Sequence, residues 1–446
     1  MLTNNQLIVR IDRAPLDEIQ IPFFILLRLL GWSSDKKMID WIVYDYDAEI
    51  SKYMIEKLQL AFKAKYTNFG ESSHLYNRDD ILRAFVSKMS ATYGYLDLKD
   101  EKTIQFVNQR IMRAVDIYLL PHIGITPNFR HEKALYITHL IRRLFMVEMQ
   151  AVGETDRDSL KNKRAHSAGV SFAKAFKQQF NFVIVQPIKK QYYRDFRSTS
   201  FSKVDLVQSL KTAVNSMDFE RALSQAITTG SKQQITVKMG RKMVNRLTSQ
   251  QLHRKNQMNY MSTMRQINSP NTSSSKQSSR ANEMRRVHPT YTGYICPIQT
   301  QDGESVGINK QIAVSASITP GSSSVLLKEK LSSDPDFTPL KDVTPEFLAK
   351  GVSQVKVNGH WIGCVHRSYH FIDKYRHLRR EQKINPYTTI YWDPVINEVH
   401  FWVDTGRIIR PMLIVYNNYG NHYTREKVRE MQLSESKSEE VVSEFD

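Results

Sequence analysis

The sequence predicts an α+β protein of several domains, and three observations support this prediction. Apolar residues recur at helical spacing through the first half of the chain. Strand patterns and Gly-containing turns dominate after residue 307. The 446 residues suffice for roughly two to four domains with their own cores, and a hydrophobic content of 41% is typical of folded chains.

Charge, apolar runs and cysteine content indicate which partners and which cellular compartment to expect. The net charge of +18 favours a polyanionic partner, either nucleic acid or an acidic membrane surface. No apolar run reaches the roughly 18 residues that span a bilayer, and the first residues lack the layout of a secretory signal. Two cysteines, Cys296 and Cys364, indicate a reducing compartment and are too few for a cysteine-rich zinc module. We expect an intracellular, soluble protein without a membrane partner, in the nucleus or the cytoplasm.

The first 150 residues are predicted to be mostly helical. Gly31 and Pro121 follow two of the apolar patterns and are typical helix stops. The patterns with near-helical spacing cover Ile21–Leu30, Asp35–Tyr44, Ile50–Phe62, Ile104–Leu120 and Lys133–Met149. These segments are expected to supply core helices.

Two more helical patterns follow a change of composition. Residues 153–169 are rich in charge and by composition are typical of a solvated linker or helix face. Val170–Val185 and Val204–Thr229 are helical patterns, separated by the basic, aromatic patch Lys189–Arg197.

Residues 231–290 carry an extreme excess of positive charge. Only Glu283 opposes twelve basic residues, which are Lys232, Lys238, Arg241, Lys242, Arg246, Arg254, Lys255, Arg265, Lys276, Arg280, Arg285 and Arg286. So many like charges repel one another unless an anion is near, and each phosphate contact releases a counterion. Residues 268–282 are rich in Ser and Asn and are expected to be mobile.

The segment Arg285–Lys310 combines Pro and Gly residues that specify backbone angles. Its Asp302-Gly303 pair is a strong turn signal, and shape alone indicates a hairpin under a surface loop. Beyond it the pattern predicts a strand over Gln311–Ile318 and a hairpin over Val355–Gly363, turning at Asn358-Gly359. A basic helix over Ser368–Arg380 and a strand over Val399–Val403 follow, and the last residues are acidic.

These segments, in order, resemble the second-largest, β-type subunit of multisubunit DNA-directed RNA polymerases. The matching stretches include PFFILLRLLGWSSDKKMIDWIVYD, DRDSLKNKRAHSAG, RRVHPTYTGYICP, VNGHWIGCVH and VDTGRIIRP. The resemblance implies a helical lobe and protrusion followed by a fork and a β-rich external domain. The implied divisions are a lobe-like domain 1–155, a protrusion-like segment 156–235, a fork region with a basic flexible loop 236–318, an external domain 319–430 and an acidic disordered tail 431–446.

The resemblance also implies which residues lie near nucleic acid or substrate. Carried over position by position, they are Gln250, Arg254, Arg265, Arg285, Arg286, His288, Gln299, Asp302 and Glu304. Gln250 and Arg254 match positions near the nascent RNA. Two departures are clear: Gln266 replaces the second arginine of an LRR motif, and the family's Glu-Thr-Pro-Glu-Gly becomes QTQDG, residues 299–303.

Several of these residues have structural alternatives. His288 precedes a proline and could be a structural histidine in a turn, and Asp302 could cap the turn before Gly303. Arg407 and Arg410 could serve only as salt-bridge partners of Asp404. The charged residues Asp156, Arg157, Lys163 and Arg164 are expected to form an interdomain ion network. His360, His366, His370 and His377 lack a clean metal-ligand spacing with Cys364, so no metal site is expected on this chain.

The function implied by the resemblance is part of a DNA-directed RNA polymerase, a nucleotidyltransferase complex in which this chain alone is inactive. Mg2+ is expected at the active centre of the complex, bound mainly by the largest subunit. The expected partners are that subunit, a chain or segment carrying the rest of the second subunit, the DNA template and the nascent RNA. The chain is interpreted as a fragment or as one product of a divided gene, from a cellular or a viral source; a viral source would extend the compartments to a virus factory or virion.

Two hypotheses of other classes are less consistent with the sequence. A stand-alone basic nucleic-acid-binding or scaffold protein needs only the charge pattern, and the ordered motifs argue against it. A single-chain polymerase or nuclease would need clustered carboxylates for two metal ions, whereas the basic central region offers only Glu283.

Overall fold

The computed structural model describes residues 2–3, 6–11, 16, 19–63, 75–88, 101–198, 206–215, 218–228, 231–232, 237–238, 241–242, 245–246, 252, 254–268, 283–303, 306–413 and 443–445. Its helices in chain order are α1 Phe23–Leu29, α2 Asp35–Val43, α3 Glu49–Lys63, α4 Arg78–Lys88, α5 Glu101–Tyr118, α6 Arg130–Glu148, α7 Ala168–Gln179, α8 Gln186–Ser198, α9 Leu206–Asn215, α10 Phe219–Thr228, α11 Gln257–Met264, α12 Ser324–Ser332, α13 Pro345–Ala349 and α14 Ser368–Arg380. A π-helical turn, Phe180–Val185, joins α7 to α8.

The strands are short outside one sheet. They are β1 Leu2–Thr3, β2 Gln6–Val9, β3 Ile21–Pro22, β4 Ser231–Lys232, β5 Val237–Lys238, β6 Arg241–Lys242, β7 Asn245–Arg246, β8 Gln266–Asn268, β9 Asn309–Gln311, β10 Ser317–Ile318, β11 Phe337–Pro339, β12 Ser353–Val357, β13 His360–Val365, β14 Thr389–Asp393, β15 Glu398–Trp402, β16 Ile408–Ile409, β17 Pro411–Leu413 and β18 Ser443–Phe445. This mixture confirms the α+β multidomain class.

Local sequence signals explain where several elements begin and end. The side chain of Ser34 accepts a hydrogen bond from the backbone N–H of Lys37, so it caps α2. Gly31, just after α1, has a φ of +103°, which a glycine adopts readily. Asn358 and Gly359 both have positive φ, as a two-residue turn between β12 and β13 requires. The predicted hairpin is therefore confirmed, and α14 confirms the basic helix.

Two sequence predictions fail locally. The patch Lys189–Arg197 does not separate helices but lies inside α8. The single strand predicted over Gln311–Ile318 is wrong in its middle, because β9 ends at Gln311 and β10 begins at Ser317. Between them the Ala316 N–H donates to the Ala313 carbonyl at 3.0 Å and closes a turn. In the acidic tail, β18 pairs with β17, and the rest of that tail lies outside the described residues.

The chain divides into two compact units. Unit 1 contains residues 1–155 and 323–403, and unit 2 contains residues 156–322 and 404–446. The finer division into lobe-like, protrusion-like, fork and external regions stays a prediction.

Unit 1 is built on a helical core and a five-stranded sheet. Every residue of α1 is buried, so this helix lies at the centre of its core. The sheet has the order β11-β13-β12-β15-β14, with β12 and β15 parallel. On one face, Val355 and Phe401 pack with Phe371 and Tyr375 of α14. Strand alternation sends Gln354 and Lys356 to the opposite face.

That opposite face carries a buried charge cluster. The Glu398 carboxylate is fully buried and lies 2.6 Å from Lys356 Nζ, 3.1 Å from Nε2 of His139 and of His400, and 3.6 Å from Arg143. Burial opposes ionisation of Glu398, but these donors and the Lys356 charge outweigh it and hold its pKa below the ordinary value. Burial lowers the pKa of Lys356 to about 8 and, with the Lys356 charge, that of His139 to about 4.

Unit 2 brings distant segments of the chain together. The Arg164 guanidinium donates to Asp404 at 2.6 Å, and Arg407 lies 3.0 Å from the same carboxylate. The salt bridge proposed for Arg407 is therefore confirmed. Gly406, with a φ of +86°, lets the backbone approach closely, because a Cβ there would stand 2.3 Å from the Ala165 carbonyl oxygen.

None of the described helices is both long and apolar enough to cross a membrane.

Candidate nucleic-acid interface

The basic central segment is anchored in unit 2 by a helix and a strand pair. The Asn256 side chain accepts from the Asn259 N–H at 2.7 Å and starts α11. The chain then enters β8, which pairs antiparallel with β9 in the register Gln266 with Gln311. This pairing holds the segment of residues 285–310, called below the fork-like segment, next to α11.

Arg265 joins α11 to β8 and is used inside the unit. Its Nη2 donates to the carbonyl oxygens of Ala313 at 2.5 Å and Ala316 at 2.8 Å, and its own carbonyl accepts from the Ile312 N–H. The guanidinium is thereby committed to backbone carbonyls.

Arg285 has a similar position at the start of the fork-like segment. Its Nη1 donates to the Val306 carbonyl at 2.8 Å. Gly307 lies against it with a φ of +71°, and a Cβ at this glycine would stand 2.3 Å from the Arg285 carbonyl oxygen. Only glycine allows the two backbones to approach this closely.

His288 makes contacts on both ring nitrogens. Nδ1 accepts from the Thr290 N–H at 3.2 Å, so the proton of the neutral ring is on Nε2, 2.6 Å from Asp156. Hydrogen bonding to the Asp158 N–H and then to His288 lowers the pKa of Asp156. Thr290 also accepts the Leu160 N–H. These contacts tie the fork-like segment to the charged linker.

Tyr291 lies between two lysines next to this histidine. Its hydroxyl accepts from Lys163 Nζ at 2.7 Å and from Lys310 Nζ at 3.2 Å, and the Lys310 ammonium lies 4.7 Å from the ring centroid. Lys163 also pairs with Asp158 at 3.5 Å. Because both amines hold a buried aromatic, they belong to the framework of the site.

The QTQDG loop is held by neutral side chains. Gln299 Nε2 donates to Ser262 Oγ at 3.0 Å. The Thr300 hydroxyl donates to the Asn309 carbonyl and accepts the Gly307 N–H, each at 2.9 Å. Gln301 accepts from the Asn309 amide. An amide at 299 can donate to the serine, which an ionised glutamate could not do.

The remaining candidates are exposed or lie outside the described residues. Arg254 is exposed, with its guanidinium 5.5 Å from the Tyr260 ring centroid. Arg286 and Asp302 are exposed as well, and no described residue pairs with either side chain. Gln250 and Glu304 lie outside the described residues.

The four arginines therefore divide into two kinds. Arg265 and Arg285 donate hydrogen bonds to backbone carbonyls. Arg254 and Arg286 are exposed to solvent, and an exposed guanidinium group can bind phosphate. Among the described residues, no group of three or more His, Cys, Asp or Glu side chains is arranged to hold a metal ion. His360, one of the histidines considered as a ligand, lies 2.9 Å from Glu132 and 3.1 Å from Lys328 in unit 1.

Sequence reasoning missed several residues that build this site. Thr300 crosslinks the loop, and Tyr291 and Lys310 form its interior contact. Thr300 gave a signal, since a hydroxyl inside a Gly-rich turn often bonds to nearby backbone. The pairing of Lys310 with Tyr291 left none, because it depends on the register of β8 and β9.

The site thus combines two exposed arginines, Arg254 and Arg286, with two arginines that hold backbone carbonyls in an α+β chain. Three family models match the chain, and all three describe one kind of protein. Models of RNA polymerase Rpb2 match in chain order, with domain 2 over residues 6–166, domain 3 over 250–318 and domain 4 over 355–416. The chain belongs to the family of second-largest, β-type subunits of multisubunit DNA-directed RNA polymerases.

Individual relatives agree with this assignment. The chain is 26% identical over 436 residues to the DNA-directed RNA polymerase II subunit RPB2 of Encephalitozoon cuniculi, covering 98% of this chain and 35% of the relative. It is 27% identical to subunit 2 of Arabidopsis thaliana, over 89% of this chain and 31% of the relative. For subunit Rpo2 of Saccharolobus shibatae the values are 27%, 92% and 34%. The chain spans about a third of these relatives, and the ordered matches do not favour a stand-alone scaffold.

Proposed function

We propose that this chain forms part of the second-largest subunit of a DNA-directed RNA polymerase and lines the cleft that holds template and nascent RNA. The observation that carries the proposal is the ordered match to three consecutive domain models. The exposed guanidinium groups of Arg254 and Arg286 lie within or beside the segment matched to domain 3, and they support a phosphate-binding role for it.

Within the subunit, residues 1–155 correspond to a lobe and 156–235 to part of a protrusion. Residues 236–318 form the fork with its basic loop, and 319–430 form an external domain. Five of the nine candidate residues near nucleic acid or substrate then have one of two roles. Arg265, Arg285 and His288 shape the fork from inside, while Arg254 and Arg286 meet phosphates.

The reaction belongs to the assembled enzyme rather than to this chain. Its partners are the largest subunit, a chain or segment with the rest of the second subunit, the DNA template and the RNA. We expect the largest subunit to hold Mg2+, which would supply charge stabilisation for nucleotidyl transfer in the assembled enzyme. The contribution of this chain is to hold the fork beside that centre and to bind the nucleic-acid backbone.

Site-directed photo-crosslinking tests the proposal in the assembled enzyme. A photoreactive amino acid at Arg286 should crosslink a labelled RNA–DNA scaffold in an elongation complex. The same substitution at Lys36, an exposed cation of α2, is the matched control and should crosslink little. An active complex in which position 286 never reaches nucleic acid would contradict the assignment of the fork.

A further inference from the structure

A cavity of about 200 Å³ lies inside unit 1. One wall is a face of helix α6, because the lining residues His139, Arg142, Arg143 and Met146 follow the helical spacing i, i+3, i+4 and i+7. A second wall consists of the entry to β12, with Gln354, and the turn between β14 and β15. We call this space the junction cavity.

The junction cavity joins two regions that separate family models match. Its α6 wall lies within residues 6–166, matched to domain 2, whereas the lining residues 395–397 lie within residues 355–416, matched to domain 4. Gln354 immediately precedes the second of these ranges. A molecule bound in the cavity would therefore contact both matched regions, and it should stabilise unit 1 against unfolding because it binds the folded state.

Apolar surface predominates in the lining of the junction cavity. Met146 of α6, Leu348 of α13, Val352 before β12 and Ile396 after β14 contribute to it. Mainly apolar walls with a few polar groups are typical of small-molecule sites. The volume is smaller than the roughly 300–1,000 Å³ of sites for drug-sized ligands, so the cavity suits a molecule of roughly ten non-hydrogen atoms.

The charge of this lining is positive. Arg142 is committed to the fold, because it donates to the Ile42 carbonyl at 2.9 Å and its guanidinium lies 4.2 Å from the Tyr44 ring centroid. The side chain of Arg143 is 31% exposed and lies 3.6 Å from Glu398, beyond hydrogen-bond distance, so its N–H groups can reach a ligand. No acidic side chain is among the described residues that line the cavity. These charges favour an anion, and the nearby Glu398 carboxylate favours one of single charge.

Two lining residues also carry a buried polar atom that lacks a hydrogen-bond partner among the described residues. Gln354 is 7% exposed and its Oε1 accepts no hydrogen bond, and His139 is 4% exposed and its Nδ1 makes none. An unsatisfied buried oxygen destabilises the folded chain unless a donor meets it. Because Oε1 can only accept, a matching ligand carries an N–H or O–H. This donor should be neutral, since a cation would face two arginines.

We propose that the junction cavity binds a small organic carboxylate with an apolar body. Arg143 binds the carboxylate, the apolar walls enclose the body, and Oε1 of Gln354 accepts a hydrogen bond from a neutral N–H or O–H of the ligand. All of these residues belong to unit 1, whereas the exposed arginines of the nucleic-acid interface, Arg254 and Arg286, belong to unit 2. The inference therefore does not depend on the proposed function.

Isothermal titration calorimetry of the purified full chain with three related compounds tests the proposal. The first, para-aminobenzoate, joins a carboxylate and a neutral amine through an apolar ring; benzoate lacks the amine, and para-aminobenzamide lacks the charge. The aminobenzoate should bind with a submillimolar Kd, roughly five- to tenfold tighter than benzoate and at least about tenfold tighter than the benzamide. Hydrogen exchange should slow in α6 and β12 when it binds.

Two variants assign the contacts. In Gln354→Leu the advantage of para-aminobenzoate over benzoate should vanish, and in Arg143→Gln its advantage over para-aminobenzamide should vanish. Arg83→Gln, which changes an exposed arginine of α4, is the matched control and should keep both advantages. Unchanged advantages in the two cavity variants would overturn the proposal. If a cavity variant does not fold, the unmodified chain still decides, because no binding at millimolar concentration, or equal binding of all three compounds, would refute the site.

Discussion

Removing the Glu398 carboxylate should lower the free energy of unfolding of unit 1 by more than most single substitutions do. The variant Glu398→Gln keeps the shape but leaves the Lys356 ammonium, 2% exposed, without its 2.6 Å counter-ion. Breaking a buried pair by removing one partner costs about 3–5 kcal/mol. The destabilisation cannot exceed the cost of deprotonating Lys356, because the variant can fold with a neutral amine. Deprotonating a lysine of ordinary pKa 10.5 at pH 7 costs about 5 kcal/mol.

The double variant isolates the cause. In Glu398→Gln with Lys356→Met no buried charge is left unpaired at these two positions. Replacing a whole buried pair is often close to neutral, so the double variant should recover most of the loss. The free energy of unfolding should then be strongly non-additive between the two substitutions.

Tryptophan fluorescence during urea unfolding reports this unit selectively. All five tryptophans of the chain are in unit 1, at positions Trp32, Trp41, Trp361, Trp392 and Trp402. Glu381→Gln is the matched control, because Glu381 forms a surface pair with Lys383 and its loss should leave the midpoint unchanged. A double variant as unstable as Glu398→Gln alone would refute the account of the buried pair.

Three further predictions concern pH, salt and backbone strain. Burial lowers the folded-state pKa of His139 from 6.5 to about 4, so the unfolded chain binds the extra proton first as pH falls. Unit 1 should therefore lose roughly 3 kcal/mol of unfolding free energy between these two pH values. The variant His139→Gln should reduce this loss, as measured by fluorescence-monitored unfolding. Arg286→Ala should lower the slope of log affinity for RNA–DNA against log salt by roughly 1, measured by fluorescence anisotropy, whereas Lys36→Ala should not change it. The methyl group added by Gly307→Ala would stand 2.3 Å from the Arg285 carbonyl oxygen, so this variant should speed hydrogen exchange across β8 and β9. Gly303→Ala is the control, because its added methyl meets nothing within 4 Å and should have a much smaller effect. Equal effects of the two variants would contradict the role of the close approach at Gly307.

Much of the fold could be predicted because its signals are local. The Asn358-Gly359 pair specifies a two-residue turn through its own backbone preferences, and the spacing within Ser368–Arg380 specifies a helix. Neither depends on a distant partner. The prediction of one strand over Gln311–Ile318 was wrong because a distant residue shapes this segment. Arg265, 48 residues from Ala313, binds the carbonyl oxygens of the turn between β9 and β10.

The site was harder to predict because its contacts join remote positions. Asp156 and His288 are 132 residues apart, and Lys163 and Tyr291 are 128 apart. A sequence pattern identifies Arg265 and Arg286 as equally basic, but only the structure separates the one committed to carbonyls from the one that is exposed. The motif resemblance marked both arginines only as candidates, and the contacts of the folded chain distinguish them.

Quantitative mass spectrometry of the complex purified through a tag on this chain tests the central claim most directly. The account predicts equimolar recovery of the largest polymerase subunit and of a polypeptide supplying the rest of the second subunit, with nucleotide incorporation on a primed RNA–DNA scaffold. Recovery of the chain alone, bound to nucleic acid with a steep salt dependence and without either partner, would contradict it.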